Sequence, residues 1–321
     1  MKKQMLVLLA VVSLLSMTVS ADTVAYWRFE EGPADAKVVH PVGGGVYYPA
    51  VTDSSGNGYE LSVWDEGGAG YLYKTEVGGT VVNGLANNFS VKNNGGGPAM
   101  WTDTADAINS IAPAAFTVEA TFKLENGGYK TIVGRDSRGT ATTGTNTDGN
   151  LAAMYFQAVP NNGLAIKFCD VSGYWHEAIS APGSYVGFDW GTDPDGTQAH
   201  WYSMAGVSDG TMLSLYLRDL TTGGTWQMIA QTDMSVVNPG SPNTALTAGA
   251  GDGGDWDAGN WTVGRGLYAG GHGDRAYGYI DEVRISDAAL SVDQFLMVVP
   301  EPATMAVLGL GALLAARMRR K

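Results

Sequence analysis

An acidic residue inside an otherwise apolar strand is the first candidate for chemistry in this sequence. In the strand that begins at Tyr277, alternation puts Asp281 on the same face as Val283 and Ile285. A buried ionised carboxylate is costly unless a partner compensates it. The possible partners are a metal ion, backbone N–H groups and an arginine such as Arg28.

The turn from Asp53 to Gly58 contains oxygen ligands of the kind that calcium takes. Its sequence, Asp-Ser-Ser-Gly-Asn-Gly, places Asp53 and Asn57 in one tight loop. Calcium binds six to eight hard oxygen ligands. The same sequence is also a good turn, in which Asp53 accepts hydrogen bonds from its own backbone. Both interpretations stay open at this point.

A second acidic loop spans residues 249–260 and holds Asp252, Asp255 and Asp257. It resembles one copy of a calcium-binding glycine-aspartate nonapeptide, but such repeats need stacked neighbours. It also lacks the glutamate that ends an EF-hand loop. A solvated loop is therefore the preferred interpretation.

Aromatic side chains beside Gly-rich or Asp-rich segments form a candidate set for binding a ligand. The apolar face of a sugar ring stacks on an aromatic side chain, and its hydroxyls suit Asp and Asn. Trp27 and Trp201 fall inside predicted strands and are assigned to the core. The alternative for the remaining rings is that they hold loops in place. The candidates are Trp64, Tyr174, Trp175, Trp190, Trp256 and Tyr268.

Catalytic patterns are weak in this chain. It lacks the Glu-x-Asp-x-Glu strand that would place an acid/base and a nucleophile on one face for a retaining glycosidase. Its four histidines show no spacing that indicates zinc or a Ser–His pair. They are His40, His176, His200 and His272. The sequence therefore predicts a protein that is not an enzyme.

The elements that position these residues are predicted to be strands. Glycine makes up 45 of 321 residues, and it clusters between short runs rich in Val, Tyr, Phe and Thr. Residues 116–124 alternate apolar and polar side chains, which predicts one core face and one solvent face. Residues 24–29 and 211–219 repeat the pattern, and Ser291 with Gln294 predicts a capping box on a short helix. Further strands are predicted near 130–134, 151–157, 163–169, 199–207, 225–231, 260–265 and 277–286. This number of antiparallel strands predicts an all-β sandwich of two packed sheets.

The N-terminus and the overall charge indicate an exported protein. Residues 1–21 carry two lysines, an apolar stretch and a small-residue triplet ending at Ala21, which predicts a Sec-type signal peptide. The formal net charge of −13 excludes nucleic acid as a partner attracted by charge. Cys169 is the only cysteine, so an internal disulfide is impossible, and it is predicted to be a buried apolar residue.

Four segments carry a family resemblance, and they occur in order along the chain. They are Ala25-Tyr-Trp-Arg-Phe-Glu-Glu-Gly32, Asp53 to Gly58, Phe116 to Phe122, and Gly278-Tyr-Ile-Asp-Glu-Val-Arg-Ile285. Together they resemble the concanavalin A-like jelly roll of the laminin G (LamG) superfamily, which implies one domain over residues 22–298. The resemblance implies a structural Ca²⁺ held by Asp53 and Asp281, with Asn57 as a further ligand. The stretch 71–113 departs from compact members of that family.

The last residues resemble the tripartite sorting tag of PEP-CTERM proteins, over residues 299–321. Pro300, Glu301 and Pro302 form the processing motif, residues 303–316 an apolar transmembrane helix, and residues 317–321 a basic tail. About 14 apolar residues span only roughly 21 Å of helix, short of a ~30 Å hydrocarbon core. The basic tail stays in the cytoplasm by the positive-inside rule. The resemblance implies export by Sec, transient anchoring in the inner membrane and processing by an exosortase.

These observations predict a noncatalytic protein of the cell surface or extracellular matrix. Its sandwich is expected to bind a glycan, an exopolysaccharide or another envelope component. The first alternative is a structural matrix or surface-layer protein without a discrete ligand. A lesser alternative is a polysaccharide hydrolase.

Overall fold

The computed structural model describes residues 23–39, 49–64, 70–79, 81, 84–138, 143–144, 151–236, 240–248, 258–269 and 271–297. The predicted signal peptide and sorting tag, with its apolar helix, lie outside these ranges. In the described ranges no helix has the length and apolar character needed to span a membrane.

Strands dominate the described residues, as the alternating sequence pattern predicts, and the helical turns are short 3₁₀ segments. The strands are β1 (Thr23–Trp27), β2 (Pro49–Val51), β3 (Leu61–Trp64), β4 (Tyr71–Lys74), β5 (Ser90–Asn93), β6 (Ala99–Thr102), β7 (Phe116–Leu124), β8 (Lys130–Arg138), β9 (Thr143–Gly144), β10 (Ala152–Val159), β11 (Gly163–Cys169), β12 (Tyr174–Ile179), β13 (Tyr202–Ser208), β14 (Met212–Asp219), β15 (Gln227–Asp233), β16 (Asn260–Val263), β17 (Gly266–Tyr268), β18 (Gly271–Gly273) and β19 (Gly278–Ser286). The 3₁₀ turns are Ala107–Ser110, Pro160–Asn162, Met234–Val236 and Val292–Gln294.

Two antiparallel sheets pack face to face, which confirms the predicted sandwich. The first sheet has the order β15-β14-β13-β7-β19-β5-β4, with β1 also paired to β19. The second has the order β2-β3-β6-β16-β8-β10-β11-β12-β9, and β17 and β18 form a separate hairpin. The pairing is antiparallel except between β12 and β9. The order is not the sequence order, so the sheets are held together by contacts between distant parts of the chain.

The core lies between the two sheets and is built from the apolar face of each strand. Phe116 and Phe122 of β7 are fully buried there, as are Phe156 of β10 and Phe168 of β11. The rings of Phe116 and Phe168 meet edge to face with centroids 5.2 Å apart. Burial of one such aromatic side chain stabilises the fold by roughly 1.5–3 kcal/mol.

The predicted solvent face of β7 is wrong, because two segments cover it. Thr117, Glu119, Thr121 and Lys123 are all buried. One cover is residues 288–297, which we call the C-terminal clasp. The other is formed by residues 75–79, with residues 84–89 beside them over β19, all within the stretch 71–113. Glu76 pairs with Lys123, Gly78 lies against Thr121, and Asn87 contacts Asp281. The first sheet is therefore buried on both faces around β7.

A β-bulge in β19 changes which residues face the core. The register with β7 shifts between Asp281 and Arg284, and Glu282 adopts a φ of +49°. Ile280 and Val283 therefore both lie in the core, since an extra residue in a bulge resets the alternation. The prediction that Asp281 shares the core face with Val283 and Ile285 is wrong for this reason. Asp281 points instead at the cover formed by residues 75–79 and 84–89, where its partner is Asn87.

Candidate functional site

Each carboxylate oxygen of Asp53 accepts two hydrogen bonds. It is 7 % exposed. Its Oδ1 accepts from the N–H groups of Tyr26 at 2.9 Å and Ser55 at 2.8 Å. Its Oδ2 accepts from the hydroxyl of Ser55 at 2.7 Å and the N–H of Tyr59 at 3.0 Å. These contacts join the turn to β1, which is the self-capping interpretation that the sequence left open.

Asn57 serves the same turn as a donor. Its side-chain N–H groups donate to the carbonyl oxygens of Thr23 at 3.2 Å and Val24 at 2.9 Å. The hydroxyl of Ser55, whose single proton is donated to Asp53, lies 3.2 Å from the carbonyl oxygen of Val24. The side chains of the turn are thus used to attach it to the start of β1.

Asp281 lies in a different environment. It is fully buried, and its Oδ2 accepts from the side-chain N–H of Asn87 at 2.9 Å. Its Oδ1 and the Oδ1 of Asn87 make no hydrogen bond with the described residues. Burial, reinforced by the neighbouring Glu282, raises the pKa of Asp281 well above its ordinary value. This carboxyl is therefore held in its neutral form over a wider pH range than an exposed one.

Arg28 is the partner of Glu282 rather than of Asp281. Its Nη2 lies 2.9 Å from Oε1 of Glu282, and the hydroxyl of Tyr26 donates to Oε2 of the same carboxylate. Burial raises the pKa of Glu282 even though Arg28 and Tyr26 oppose the shift. The sequence offered Arg28 as a partner of Asp281. The bulge explains why Arg28 pairs with Glu282 instead, because it turns the side chain of Glu282 toward β1.

Two of the predicted calcium ligands, Asp53 and Asp281, belong to segments that pair with opposite edges of β1. Asp53 bridges to Trp27 on one edge of β1, whereas β19, which carries Asp281, pairs with the other edge. Among the residues that the structure describes, no group of three or more His, Cys, Asp or Glu side chains has the geometry of a metal site. The predicted Ca²⁺ ion and its ligands Asp53, Asn57 and Asp281 stay a prediction. The acidic loop residues Asp252, Asp255 and Asp257 lie outside the described ranges.

The candidate aromatic residues occupy separate places in the fold. Trp175 is buried and its ring centroid lies 6.1 Å from that of Tyr155. The ring centroid of Trp190 lies 6.0 Å from those of Phe188 and Tyr277. These two tryptophans hold neighbouring side chains in place. Their part in ligand binding stays a prediction.

The other aromatic candidates are more accessible. Tyr268 is 51 % exposed on β17, next to the buried Leu267, which joins Trp175 in a small apolar cluster. Trp64 and Tyr174 are half-buried at strand ends. Trp256 lies outside the described residues. Trp27 is fully buried in the core, as predicted, whereas Trp201 is buried on the outer face of the first sheet beside Tyr279.

A surface groove of about 510 Å³ lies between residues 31–39 and β2. Sites for small ligands have volumes of roughly 300–1,000 Å³. Its apolar lining comes from small side chains such as Pro33, Ala36 and Ala50. Its polar lining comes from Glu31, Lys37, Thr52, Glu60 and Tyr73. Residues 40–48, between Val39 and Ala50 of the lining, lie outside the described residues.

The carboxylate of Glu31 is held in one orientation in this groove by two hydrogen bonds. Its Oε1 accepts from the N–H of Thr52 at 2.8 Å, and its Oε2 accepts from the hydroxyl of Tyr73 at 3.3 Å. Burial and the adjacent Glu31 raise the pKa of Tyr73, so its hydroxyl stays protonated as a donor. The ring of Tyr73 is supported by Phe89, with centroids 6.5 Å apart. The groove thus combines oriented polar groups with apolar surface.

Sequence reasoning missed the groove, because its lining comes from three separate segments and follows no local motif. It also overlooked residues 206–210, which read Gly-x-Ser-x-Gly. This pattern marks a hydrolase nucleophile only in a strand-to-helix turn. Here Ser208 ends β13 and the turn leads into β14, and its hydroxyl accepts from Gly210 N–H at 3.4 Å. The histidines His176 and His200 pair instead with Asp170 and Asp219, at 2.8 and 2.7 Å.

The C-terminal tail matches the model of a known protein family. Residues 298–321 match the model of the PEP-CTERM protein-sorting motif. This match confirms the resemblance of the tail to the sorting motif. The role of Pro300, Glu301 and Pro302 as the processing site stays a prediction, and these residues lie outside the described ranges. The motif indicates that the protein is exported and sorted toward the cell surface. It covers only the tail and does not bear on the sandwich.

The sandwich resembles several solved structures at low sequence identity. No curated protein sequence matches the chain. Among solved structures, the Ruminococcus gnavus IT-sialidase CBM40 bound to alpha2,3 sialyllactose is 13% identical, with 58% of this chain and 82% of that chain covered and a TM-score of 0.38. The botulinum neurotoxin serotype D ligand binding domain in complex with N-acetylneuraminic acid is 12% identical, with a TM-score of 0.45. The match covers 86% of this chain and spans half, 50%, of that chain. At these scores neither likeness carries an argument about ligand binding.

Proposed function

We propose that this protein is exported, processed by an exosortase at its C-terminal tag, and binds carbohydrate through the groove beside β2 without cleaving it. The observation that carries the binding proposal is the groove of about 510 Å³ with its mixed polar and apolar lining. A pyranose offers hydroxyls to carboxylates and a lysine, and an apolar face to small side chains. The sorting motif at residues 298–321 supports the exported location in which such a ligand occurs.

The charges of the groove favour one class of glycan. Glu31 and Glu60 contribute two carboxylates against the single ammonium of Lys37. The whole chain carries a formal charge of −13. Like charges repel at the surface and lower association rates. Neutral or amino-bearing sugars are therefore the proposed ligands, in preference to acidic ones.

The test is binding of purified residues 22–299 to a panel of neutral, amino-bearing and acidic glycans. We expect saturable binding to the first two classes, and a dissociation constant at least about tenfold weaker for Glu60→Gln, the typical loss of one hydrogen bond to a charged group. Glu60 is exposed on the rim, so this change leaves the core intact. The matched control is Glu177→Gln, a partly exposed glutamate paired with Lys167 on the second sheet.

The other outcomes separate the alternatives. Binding that Glu60→Gln leaves unchanged would refute the groove as the site and direct attention to Tyr268. Failure to bind any glycan would favour the structural matrix protein. Release of reducing ends from a bound polysaccharide would favour the hydrolase. Repeating the panel with a chelator tests the predicted role of calcium.

A further inference from the structure

The C-terminal clasp, residues 288–297, is packed firmly onto the outer face of the first sheet. Leu290, Phe295, Leu296 and Met297 are all buried. The ring of Phe295 lies edge-on to that of Trp226, with centroids 4.9 Å apart. The apolar end of the described chain is therefore part of the folded domain.

Polar contacts also hold the backbone of the clasp. The N–H of Leu296 donates to Oε1 of Glu119 at 2.7 Å. The carbonyl oxygen of Met297 accepts from Trp226 Nε1 at 3.1 Å and from the guanidinium of Arg218. These partners lie on strands β7 and β14 and just before β15, so release of the clasp breaks contacts to several parts of the first sheet.

Arg284 reinforces the contact at Glu119. Its Nε donates to Oε2 of Glu119 at 2.6 Å, and its Nη2 donates to the carbonyl oxygen of Gln294 at 2.7 Å. Glu119 is 1 % exposed and therefore depends on both partners. The clasp supplies one of them, the N–H of Leu296.

The clasp ends where the sorting motif begins. Met297 is its last residue, the motif spans residues 298–321, and Pro300 follows Met297 by three positions. Three extended residues reach at most about 10 Å. Proteases act on exposed backbone that is free of other hydrogen bonds. An enzyme that binds Pro300 must therefore work within about 10 Å of Met297 in the folded clasp.

We propose that the clasp controls processing: on the folded protein, the exosortase gains access to the Pro-Glu-Pro motif when residues 288–297 detach from the first sheet. This inference rests on the exosortase processing stated under the proposed function. When opening and closing are fast, cleavage follows the population of the open form. Folding of the sandwich thus sets the rate of its own processing.

The test is pulse–chase measurement of processing of the full chain in cells that contain an exosortase. In one variant, ten Gly and Ser residues are inserted between Met297 and Val298. Such a linker adds an average reach of roughly 17 Å and leaves every docked residue in place. We expect processing at least about tenfold faster than in the wild-type chain, because the obstruction is removed without opening the clasp.

A second variant opens the clasp directly. Phe295→Ala is expected to accelerate processing of the original chain by about tenfold or more, and to have no further effect in the linker-containing chain. The matched substitution is Val292→Ala, in the same segment but with a side chain that is 39 % exposed. The matched insertion places the same linker after Gly183, an exposed turn residue whose backbone N–H donates to the carbonyl oxygen of Asn161 and not to the clasp. Both controls are expected to leave the rate unchanged.

The results distinguish control of processing by the clasp from exosortase processing itself. Normal processing that neither the linker nor Phe295→Ala accelerates would overturn the clasp and leave the proposed function intact. Absence of processing in the wild-type and the linker-containing chains alike would refute exosortase processing, and the clasp with it. Processing of the linker-containing chain alone would support both.

Discussion

Replacement of Asp53 by alanine tests whether this residue is a structural acceptor or a metal ligand. The carboxylate receives hydrogen bonds from the backbone N–H groups of Tyr26 and Tyr59, and from the N–H and hydroxyl of Ser55. Ser55 lies in the partly exposed turn, where water can replace its partner. Tyr26 is buried in β1 and Tyr59 is partly buried, so their N–H groups lose a partner that water replaces poorly.

The magnitude follows from these two groups. An unsatisfied buried donor costs about 1–3 kcal/mol, and a hydrogen bond to a charged group contributes about 1.5–3 kcal/mol. We expect Asp53→Ala to lower the free energy of unfolding by about 3–4 kcal/mol, with about 2–3 kcal/mol from the buried N–H of Tyr26 and about 1 kcal/mol from the partly buried N–H of Tyr59. At roughly 2–4 °C per kcal/mol for a domain of about this size, Tm falls by roughly 6–16 °C. Asp53→Asn retains one acceptor oxygen and is expected to cost about half as much.

The assay is thermal unfolding of residues 22–299 in millimolar calcium and again in excess chelator. The wild-type protein and Asp53→Ala are expected to differ by the same amount in both. The control is Asp209→Ala, an exposed turn residue that accepts from the N–H groups of Thr211 and Met212 at 2.8 and 2.7 Å. Its loss is expected to cost about 1 kcal/mol or less. The reasoning fails if chelation lowers the Tm of the wild-type protein to that of Asp53→Ala and leaves the variant unaffected, because Asp53 would then act through calcium.

Two further predictions concern the second sheet. Burial raises the pKa of the Cys169 thiol to about 12, so a thiol reagent at pH 8 is expected to label the protein only after denaturation; rapid labelling of the native protein would contradict the structure. Burial alone would raise the pKa of Asp170, but hydrogen bonds from His176 and Ser241 hold it below its ordinary value. Its contribution to stability is therefore complete above the unfolded pKa of about 3.9 and is lost as the pH falls through the lower folded value. Denaturant unfolding between pH 7 and pH 3 should show a shallower loss of stability on acidification for Asp170→Asn than for the wild-type protein, and parallel curves would argue against the pairing.

Local patterns predicted the elements whose determinants are close together in the chain. The strand Phe116–Leu124 has the bounds that its alternation indicates, because a period of two is a property of consecutive residues. The capping box of Ser291 and Gln294 is present, since its two partners are three positions apart. Cys169 is buried as expected. The sorting motif is likewise recognisable because its three parts are contiguous.

The sequence alone determined the all-β class, the two-sheet sandwich and the C-terminal sorting motif. Tertiary structure alone decided the surroundings of Asp281, because the one extra residue of the bulge reverses the face that alternation would otherwise assign. It also decided that the polar face of β7 is buried, since the contacts of the two covers with β7 join residues such as Glu76 and Lys123, 47 positions apart, and Glu119 and Leu296, 177 positions apart. The groove beside β2 has the same origin, because its carboxylates, lysine and tyrosine come together only when three separate segments pack. Contacts between distant residues depend on the relative placement of whole strands, and that placement is not encoded in any short stretch of sequence.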